Sequence, residues 1–182
     1  MKYNNSNFGR YLMYGAAIAF AAASPALMAQ SKSKIGFSGS FVVPTGSLSD
    51  FAGPGFSLGA SYEKPLSLHN FSQSFSLQYT IFGGRSVNVP GFFSIDYSVK
   101  ELGINYDLKY YLGEGGSFYV LGGGGLHSFS MSVKGFDNAE DLGTKFGFNI
   151  GGGYCYTPNL GFECRYVLCP DPWLQLSLKL QF

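Results

Sequence analysis

Apolar and polar residues alternate one by one over long stretches of the chain. The pattern is clearest in the last segment, where alternate positions form one apolar and one polar set: Leu174, Leu176, Leu178, Leu180 and Phe182 against Gln175, Ser177, Lys179 and Gln181. Successive side chains of a β-strand point to opposite faces. The alternation therefore predicts a strand with one face toward an apolar environment and the other toward polar groups.

Seven earlier segments alternate in the same way, and clusters of Gly, Pro, Asn and Asp separate them. The eight predicted strands span residues 34–43, 55–63, 71–81, 97–112, 118–129, 146–156, 160–168 and 173–182. In the fifth strand the run Gly122 to Gly125 erases the alternation, so its register is open and a bulge is one alternative. Residues 130–145 are predicted to form the longest loop.

The connections and the polar faces favour a closed barrel over a sandwich. Connections at 44–54, 83–93 and 130–145 are long and the turns between them short, as in outer-membrane barrels, whose external loops are longer than their periplasmic turns. The polar faces carry Gly, Ser, Asn, Gln and few charges, which suits the narrow interior of eight strands. We predict an all-β fold, an eight-stranded antiparallel up-and-down transmembrane β-barrel with both ends in the periplasm.

The first 29 residues predict a signal peptide. Lys2 and Arg10 supply a positive region, residues 12–23 form an apolar stretch too short to span a bilayer, and cleavage after Ala29 leaves Gln30 first. A short membrane anchor is the alternative, although no basic flank follows the apolar stretch. The predicted organisation is a signal peptide at 1–29 and one barrel domain at 30–182.

Composition narrows the class of protein further. Charged residues make up 13% of the chain, aromatic residues 18%, and 26 residues are glycine, which suits β-structure that meets lipid. Removing Lys2 and Arg10 from the twelve basic residues leaves ten against eleven acidic ones, a formal charge of −1. This near-balance gives no electrostatic footprint for nucleic acid.

Three stretches resemble those of small bacterial outer-membrane β-barrel proteins: the leader ending Leu27-Met28-Ala29, the alternating segment 102–112 and the final strand ending at Phe182. The chain is similar to proteins of the OmpX and OmpA-transmembrane-domain type, and to the outer membrane protein β-barrel domain family of Bacteroidetes-like bacteria. The resemblance implies residence in the bacterial outer membrane and contact with its lipid. It also implies that the barrel-assembly machinery recognises the strand ending at Phe182.

Charged residues on the inward faces are the first candidates for a functional site. Asp107 and Lys109 lie two residues apart on one strand face, and so do Glu163 and Arg165. Lys179 is placed to face Glu163 across the last hairpin. Buried charges must be paired. We interpret this set as charge pairing that fills a closed interior; a gated or selective pore is the alternative.

A hydrolytic site is the second candidate. His127 and Ser128, with Ser130 and Glu140 nearby, contain the residue types of a serine–histidine–acid triad. In outer-membrane lipid A deacylases histidine and serine stand two apart on one strand face, whereas here Phe129 occupies that position and Ser128 points to the opposite side. We therefore interpret His127 as a polar residue at the rim, and we predict no catalytic residue.

The remaining features are interpreted as structural. Glycines 122–125 lack the following helix that a phosphate-binding loop needs. Five charged residues of the longest loop are interpreted as solvated, with binding of a partner or cation as the alternative: Lys134, Asp137, Glu140, Asp141 and Lys145. Cys155 is predicted to face inward and Cys164 outward, so these two are not expected to pair, and with Cys169 they match no zinc pattern. Aromatic residues near strand ends predict two interfacial girdles: Tyr62, Phe71, Tyr110, Phe118, Phe146, Tyr156, Tyr166, Trp173 and Phe182.

The predicted function is that of a non-enzymatic integral outer-membrane protein with a structural or surface-interaction role through its external loops. No cofactor and no metal are predicted; outer-membrane lipid and an unknown surface ligand are the expected partners. Two alternatives are an outer-membrane enzyme that modifies lipid, similar to a lipid A deacylase, and a soluble ligand-binding barrel similar to a lipocalin.

Overall fold

The computed structural model describes residues 33–89, 93–112, 117–133 and 139–182, with side chains described for 33–84, 98–112, 117–132 and 142–182. The predicted signal peptide at 1–29 lies outside these residues. The described elements are β1 (Lys34–Pro44), α1 (Leu48–Phe51), β2 (Gly53–Pro65), β3 (Phe71–Gly83), β4 (Arg85–Val89), β5 (Phe93–Leu112), β6 (Phe118–Val133), β7 (Ala139–Cys155), β8 (Leu160–Leu168) and β9 (Trp173–Gln181).

Eight of these strands form a closed antiparallel barrel. Each pairs with its neighbour along the chain, β9 pairs with β1, and β3 pairs with β5. The short strand β4 stays outside the wall and pairs with β5. Closure satisfies the backbone groups of every wall strand. The predicted fold class, an eight-stranded up-and-down barrel, is confirmed.

The apolar and polar faces fall as the alternation predicts. Leu77, Ile104 and Leu126 are cross-strand neighbours on the outside, each about half exposed, whereas Asn105 and Asp107 beside them are almost fully buried. Outward Leu, Ile, Phe and Tyr residues recur on every wall strand. An apolar outside around a polar inside is the arrangement of a barrel that crosses lipid.

Strand lengths differ from the prediction on the side where the longer connections lie. β5, β6 and β7 continue past the predicted ends, so most of residues 130–145 are strand, with 134–138 outside the described residues. Residues 85–89 of the second predicted loop form β4. The pattern failed there because strands that leave the membrane no longer need an apolar outward face.

The glycine run Gly122 to Gly125 is regular strand, paired without interruption to both β5 and β7, so the alternative of a bulge at this run is wrong. The register shifts instead between Phe129 and Ser130, opposite Leu142 and Gly143 of β7. Gly143 has φ +83°, a left-handed conformation that glycine adopts without steric cost. The irregularity therefore lies past Leu126 and Phe146, where the next outward residues are Ser128 on β6 and Thr144 and Leu142 on β7.

The first predicted loop contains the one-turn helix α1, which closes one end of the barrel. Leu48 and Ala52 are buried in an apolar cluster inside this mouth, together with Val42, Phe82, Val99, Phe129, Val167 and Trp173. Trp173 is fully buried here, so its predicted place in an interfacial girdle is wrong. Among the described residues no helix is long and apolar enough to cross a membrane.

Most other predicted girdle residues lie on the outside. Tyr62, Tyr110, Phe118, Phe146, Tyr156 and Phe182 are exposed, and Phe71 and Tyr166 are partly exposed. Two cysteine orientations are also confirmed, since Cys155 is buried inside and Cys164 is exposed outside. Cys169, in the connection between β8 and β9, is half-buried, and all three thiols are free.

Candidate functional site

The barrel interior holds a network of buried charges near the end where the short turns lie. Glu63, at the end of β2, is its first centre. Its carboxylate accepts from Lys109 Nζ at 2.5 Å and from Tyr111 Oη at 2.5 Å. Ser72 Oγ at 2.7 Å and Gln181 Nε2 at 3.2 Å complete the set. Glu63 is thus bound by side chains of three other strands, β3, β5 and β9, and its side chain is 2% exposed.

Glu163 of β8 is the second centre. It accepts from Lys179 Nζ at 2.5 Å, from Tyr119 Oη at 2.8 Å and from Arg165 Nη2 at 3.1 Å. Arg165 also donates to Asp107 at 2.7 Å, and Asp107 accepts from Asn149 Nδ2 at 2.9 Å. Lys109 Nζ lies 4.0 Å from Glu163, which joins the two centres. The predicted contact between Lys179 and Glu163 is confirmed.

Charge pairing explains why these groups tolerate burial. An unpaired ion in a low-dielectric interior costs several kcal/mol, whereas one with ionic and hydrogen-bonded partners does not. Small residues opposite the charges provide the room: a Cβ at Gly123 would collide with Asp107, and one at Gly151 would collide with β8 beside Arg165. The small inward residues seen in the sequence therefore leave the room that the side chains of the ion network occupy.

His127 lies deep in the barrel rather than at its rim, so that prediction is wrong. Its Nδ1 is 2.8 Å from Glu101 Oε1, and both side chains are fully buried. The ring of Trp173 packs edge-on at 5.0 Å between centroids. Gly103 leaves the space for this pair, since a Cβ there would collide with Glu101. Glu101 on β5 and His127 on β6 therefore form a structural pair in the space beside Gly103, beneath the apolar cluster.

Among the described side chains no serine hydrogen-bonds to His127, whose Nδ1 contacts Glu101 and whose Nε2 has no hydrogen-bond partner. Ser128 follows His127 on the opposite face of β6, as expected, and Glu140 has no described side chain. Trp173 and the apolar cluster cover His127 from the mouth that α1 closes. A lipid on the outside of the barrel therefore has no contact with this histidine.

Loop charges are only partly described. The side chains of Lys134, Asp137, Glu140 and Asp141 lie outside the described residues. Lys145, predicted in the loop, stands on β7 and forms an ion pair with Asp171, which also accepts from Ser47 Oγ at 3.1 Å. This contact joins β7, the β8–β9 connection and the segment before α1, and so holds the closed mouth together.

Sequence reasoning missed Glu63 and Glu101, the two carboxylates that complete the interior. Both sit on the small, polar face of their strands, at alternate positions with Ser61 and Gly103. A carboxylate on a face of otherwise small residues was the available signal. The sequence did not reveal their partners, because Glu63 on β2 and Lys109 on β5 are 46 residues apart and become neighbours only when β3 pairs with both strands.

Side chains occupy the described interior at every level, apart from one small polar cavity. An apolar cluster stands at one mouth, the His127–Glu101 pair below it, and the ion network beyond. At the far end Tyr111, Tyr119, Leu121 and Cys155 form a second apolar cluster. Within the described residues no group of three His, Cys, Asp or Glu side chains is placed to hold a metal ion.

The apolar belt, the closed antiparallel wall and the packed polar interior define a class, the small eight-stranded barrel of the outer-membrane type. Among solved structures the chain is similar to neisserial surface protein A, with a TM-score of 0.50, 17% identity, and coverage of 82% of this chain and 95% of that one.

Two more solved barrels give somewhat lower scores. The Ail protein of Yersinia pestis has a TM-score of 0.48, 17% identity, and coverage of 82% and 96% of the two chains. The N-terminal β-barrel domain of Pseudomonas aeruginosa OprF has a TM-score of 0.48, 15% identity, and coverage of 82% and 97%. No family model and no curated protein matches the sequence. At these identities the similarity concerns the fold.

Proposed function

We propose that the protein is a non-enzymatic barrel of the bacterial outer membrane that makes surface contacts through a sheet standing above the membrane. One observation carries the proposal. β4, the first part of β5, the last part of β6 and the first part of β7 form a four-stranded sheet that extends past the outward apolar belt.

The polarity of the outward residues marks where this sheet leaves the belt. On β6 the outward series changes from Leu126 to Ser128, and on β7 from Phe146 to Thr144. On β5 exposed Lys100 follows Leu102. The nine residues of β5 before Leu102 span about 30 Å along the strand at roughly 3.4 Å per residue.

Both edges of this sheet are open among the described residues. β4 pairs with β5 alone, and residues 139–147 of β7 pair with β6, since the pairing of β7 with β8 starts at Phe148. A barrel wall has no free edge, whereas an open edge offers backbone donors and acceptors to a strand of another protein. An extended segment of a partner protein is thus the proposed ligand.

Cell adhesion tests the proposal with matched loop variants. In one variant a Gly-Ser linker replaces β4; in the control, a linker of equal length replaces residues 66–70 at the opposite end. Both variants keep the wall, so both should show the heat-modifiable migration of a folded barrel. We expect the β4 variant to lose most binding of whole cells to immobilised proteins and to other cells. Undiminished binding by a folded β4 variant would contradict the proposal.

A separate experiment tests the proposal that the protein is not an enzyme. Mass spectrometry of lipid A from cells with and without the protein should give the same acylation pattern, because the buried His127 has no access to lipid. Loss of an acyl chain in cells that carry the protein would show an enzyme.

A further inference from the structure

A small cavity lies inside the barrel, between the ion network and the hydroxyl groups of β1 and β2. Apart from Leu77 and Gly59 its lining is polar and includes Ser38, Ser61, Ser76, Arg165, Gln175 and Lys179. It offers about 10 Å³ to the centre of a water-sized sphere. One water molecule requires roughly 10–15 Å³ by this measure.

Three of the lining residues carry a buried polar atom with no hydrogen-bond partner among the described residues. These atoms are Ser76 Oγ, Arg165 Nε and Gln175 Oε1. A second polar atom of two of these side chains already has partners, since Arg165 Nη2 donates to Asp107 and Glu163, and Gln175 Nε2 donates to Ser40. Arg165 and Gln175 are 3% and 5% exposed. A buried polar atom left without a partner is costly, and buried water commonly supplies that partner.

We propose that this cavity is the site of one structural water molecule bound by Ser76, Arg165 and Gln175. The donor set matches water and excludes an ion. Arg165 Nε can only donate, Gln175 Oε1 can only accept, and the Ser76 hydroxyl can do either. A cation is disfavoured by Arg165 and Lys179, and an anion by Glu163, which also lines the cavity. Buried waters typically make about three hydrogen bonds.

The water links opposite walls of the barrel. β3, which carries Ser76, and β8, which carries Arg165, are separated by three strands in either direction around the ring. Among the described residues, the side-chain hydrogen bonds of β3 inside the barrel reach neighbouring strands, from Ser72 to Glu63, from Gln78 to Glu101 and from Thr80 to Ser57. The proposed water therefore adds a contact across the bore that these side chains do not make themselves. The inference is independent of the surface-contact role.

Water–protein NOE measurements on the full protein in lipid nanodiscs test the site. We expect a cross-peak between water and Arg165 Hε, retained in Ser74→Val and lost in Ser76→Val, whose methyl groups fill the cavity. Ser74 is the matched control because it is buried on the same face of β3 but does not line the cavity. Absence of the cross-peak in the wild-type protein, or its persistence in Ser76→Val, would overturn the proposal. If Ser76→Val does not fold, the wild-type spectrum decides alone.

Discussion

Removing the charge of Glu163 should be among the most destabilising single changes in the barrel interior. The carboxylate is 1% exposed and binds Lys179, Arg165 and Tyr119. Glu163→Gln keeps the shape but leaves Lys179 without the carboxylate that lies 2.5 Å from its Nζ. Breaking a buried ion pair by removing one partner costs about 3–5 kcal/mol.

The lower end of that range applies here. Arg165 retains Asp107 at 2.7 Å, so only Lys179 loses its ionic partner outright. The Lys179 side chain is 10% exposed, which gives its ammonium group some access to solvent. We therefore expect a loss of about 3 kcal/mol in the free energy of unfolding. The double variant Glu163→Gln, Lys179→Met should recover at least half of this loss, because no unpaired charge remains buried.

Urea unfolding in lipid vesicles, followed by Trp173 fluorescence, measures these differences. Asp50→Asn on the exposed side of α1 is the control and should stay within about 0.5 kcal/mol of the wild type. A loss below about 1 kcal/mol for Glu163→Gln would refute the reasoning, because surface ion pairs contribute that little. A double variant as unstable as the single one would also refute it.

Three further predictions follow from the wall, the interior and the external connection. Ile104→Arg, at an outward site within the apolar belt, should lower the free energy of unfolding by about 2–4 kcal/mol. Ser128→Arg, at an outward site beyond the belt, should lower it by at most about 1 kcal/mol. Equal losses for the two variants in urea titrations in lipid vesicles would count against the topology. Planar-bilayer recordings should show no sustained ion-selective conductance, because side chains fill the bore, and a stable open state would contradict this. Burial raises the pKa of the Cys169 thiol to about 11, so in Cys155→Ser, Cys164→Ser protein its maleimide labelling should rise about tenfold per pH unit from pH 8 to 10. Labelling that levels off near pH 9, as for a free thiol, would show that Cys169 is not shielded.

Alternation predicted the wall well because burial in lipid acts on one side chain at a time. Each outward residue needs only to be apolar, so Leu102 to Leu112 could be assigned a face without knowledge of its neighbours. The girdle prediction failed at Trp173, which alternates with Leu174 and so shares the inward face of Gln175, but was assigned to the outside as an aromatic residue near a strand end. Trp173 packs inside against Phe82 and His127 from other strands, and such contacts exist only after the ring has closed.

The interior charges were predictable as a set but not as partners. Asp107, Lys109, Glu163 and Arg165 stood on polar faces, and pairing followed from the cost of burying a charge. Which carboxylate meets which cation depends on the stagger between strands, and this placed Lys109 beside Glu63 rather than beside its own neighbour Asp107. His127 was misplaced because the glycines before it concealed the register of β6.

The location of the only tryptophan gives the most direct test of a barrel with lipid outside and a packed interior. Brominated acyl chains quench a tryptophan that they contact. In vesicles of such lipid, native Trp173 should stay almost unquenched, since it is buried inside the barrel. In Trp173→Phe protein, Leu178→Trp on the outside of β9 should be strongly quenched. Equal quenching of the two tryptophans would contradict the account.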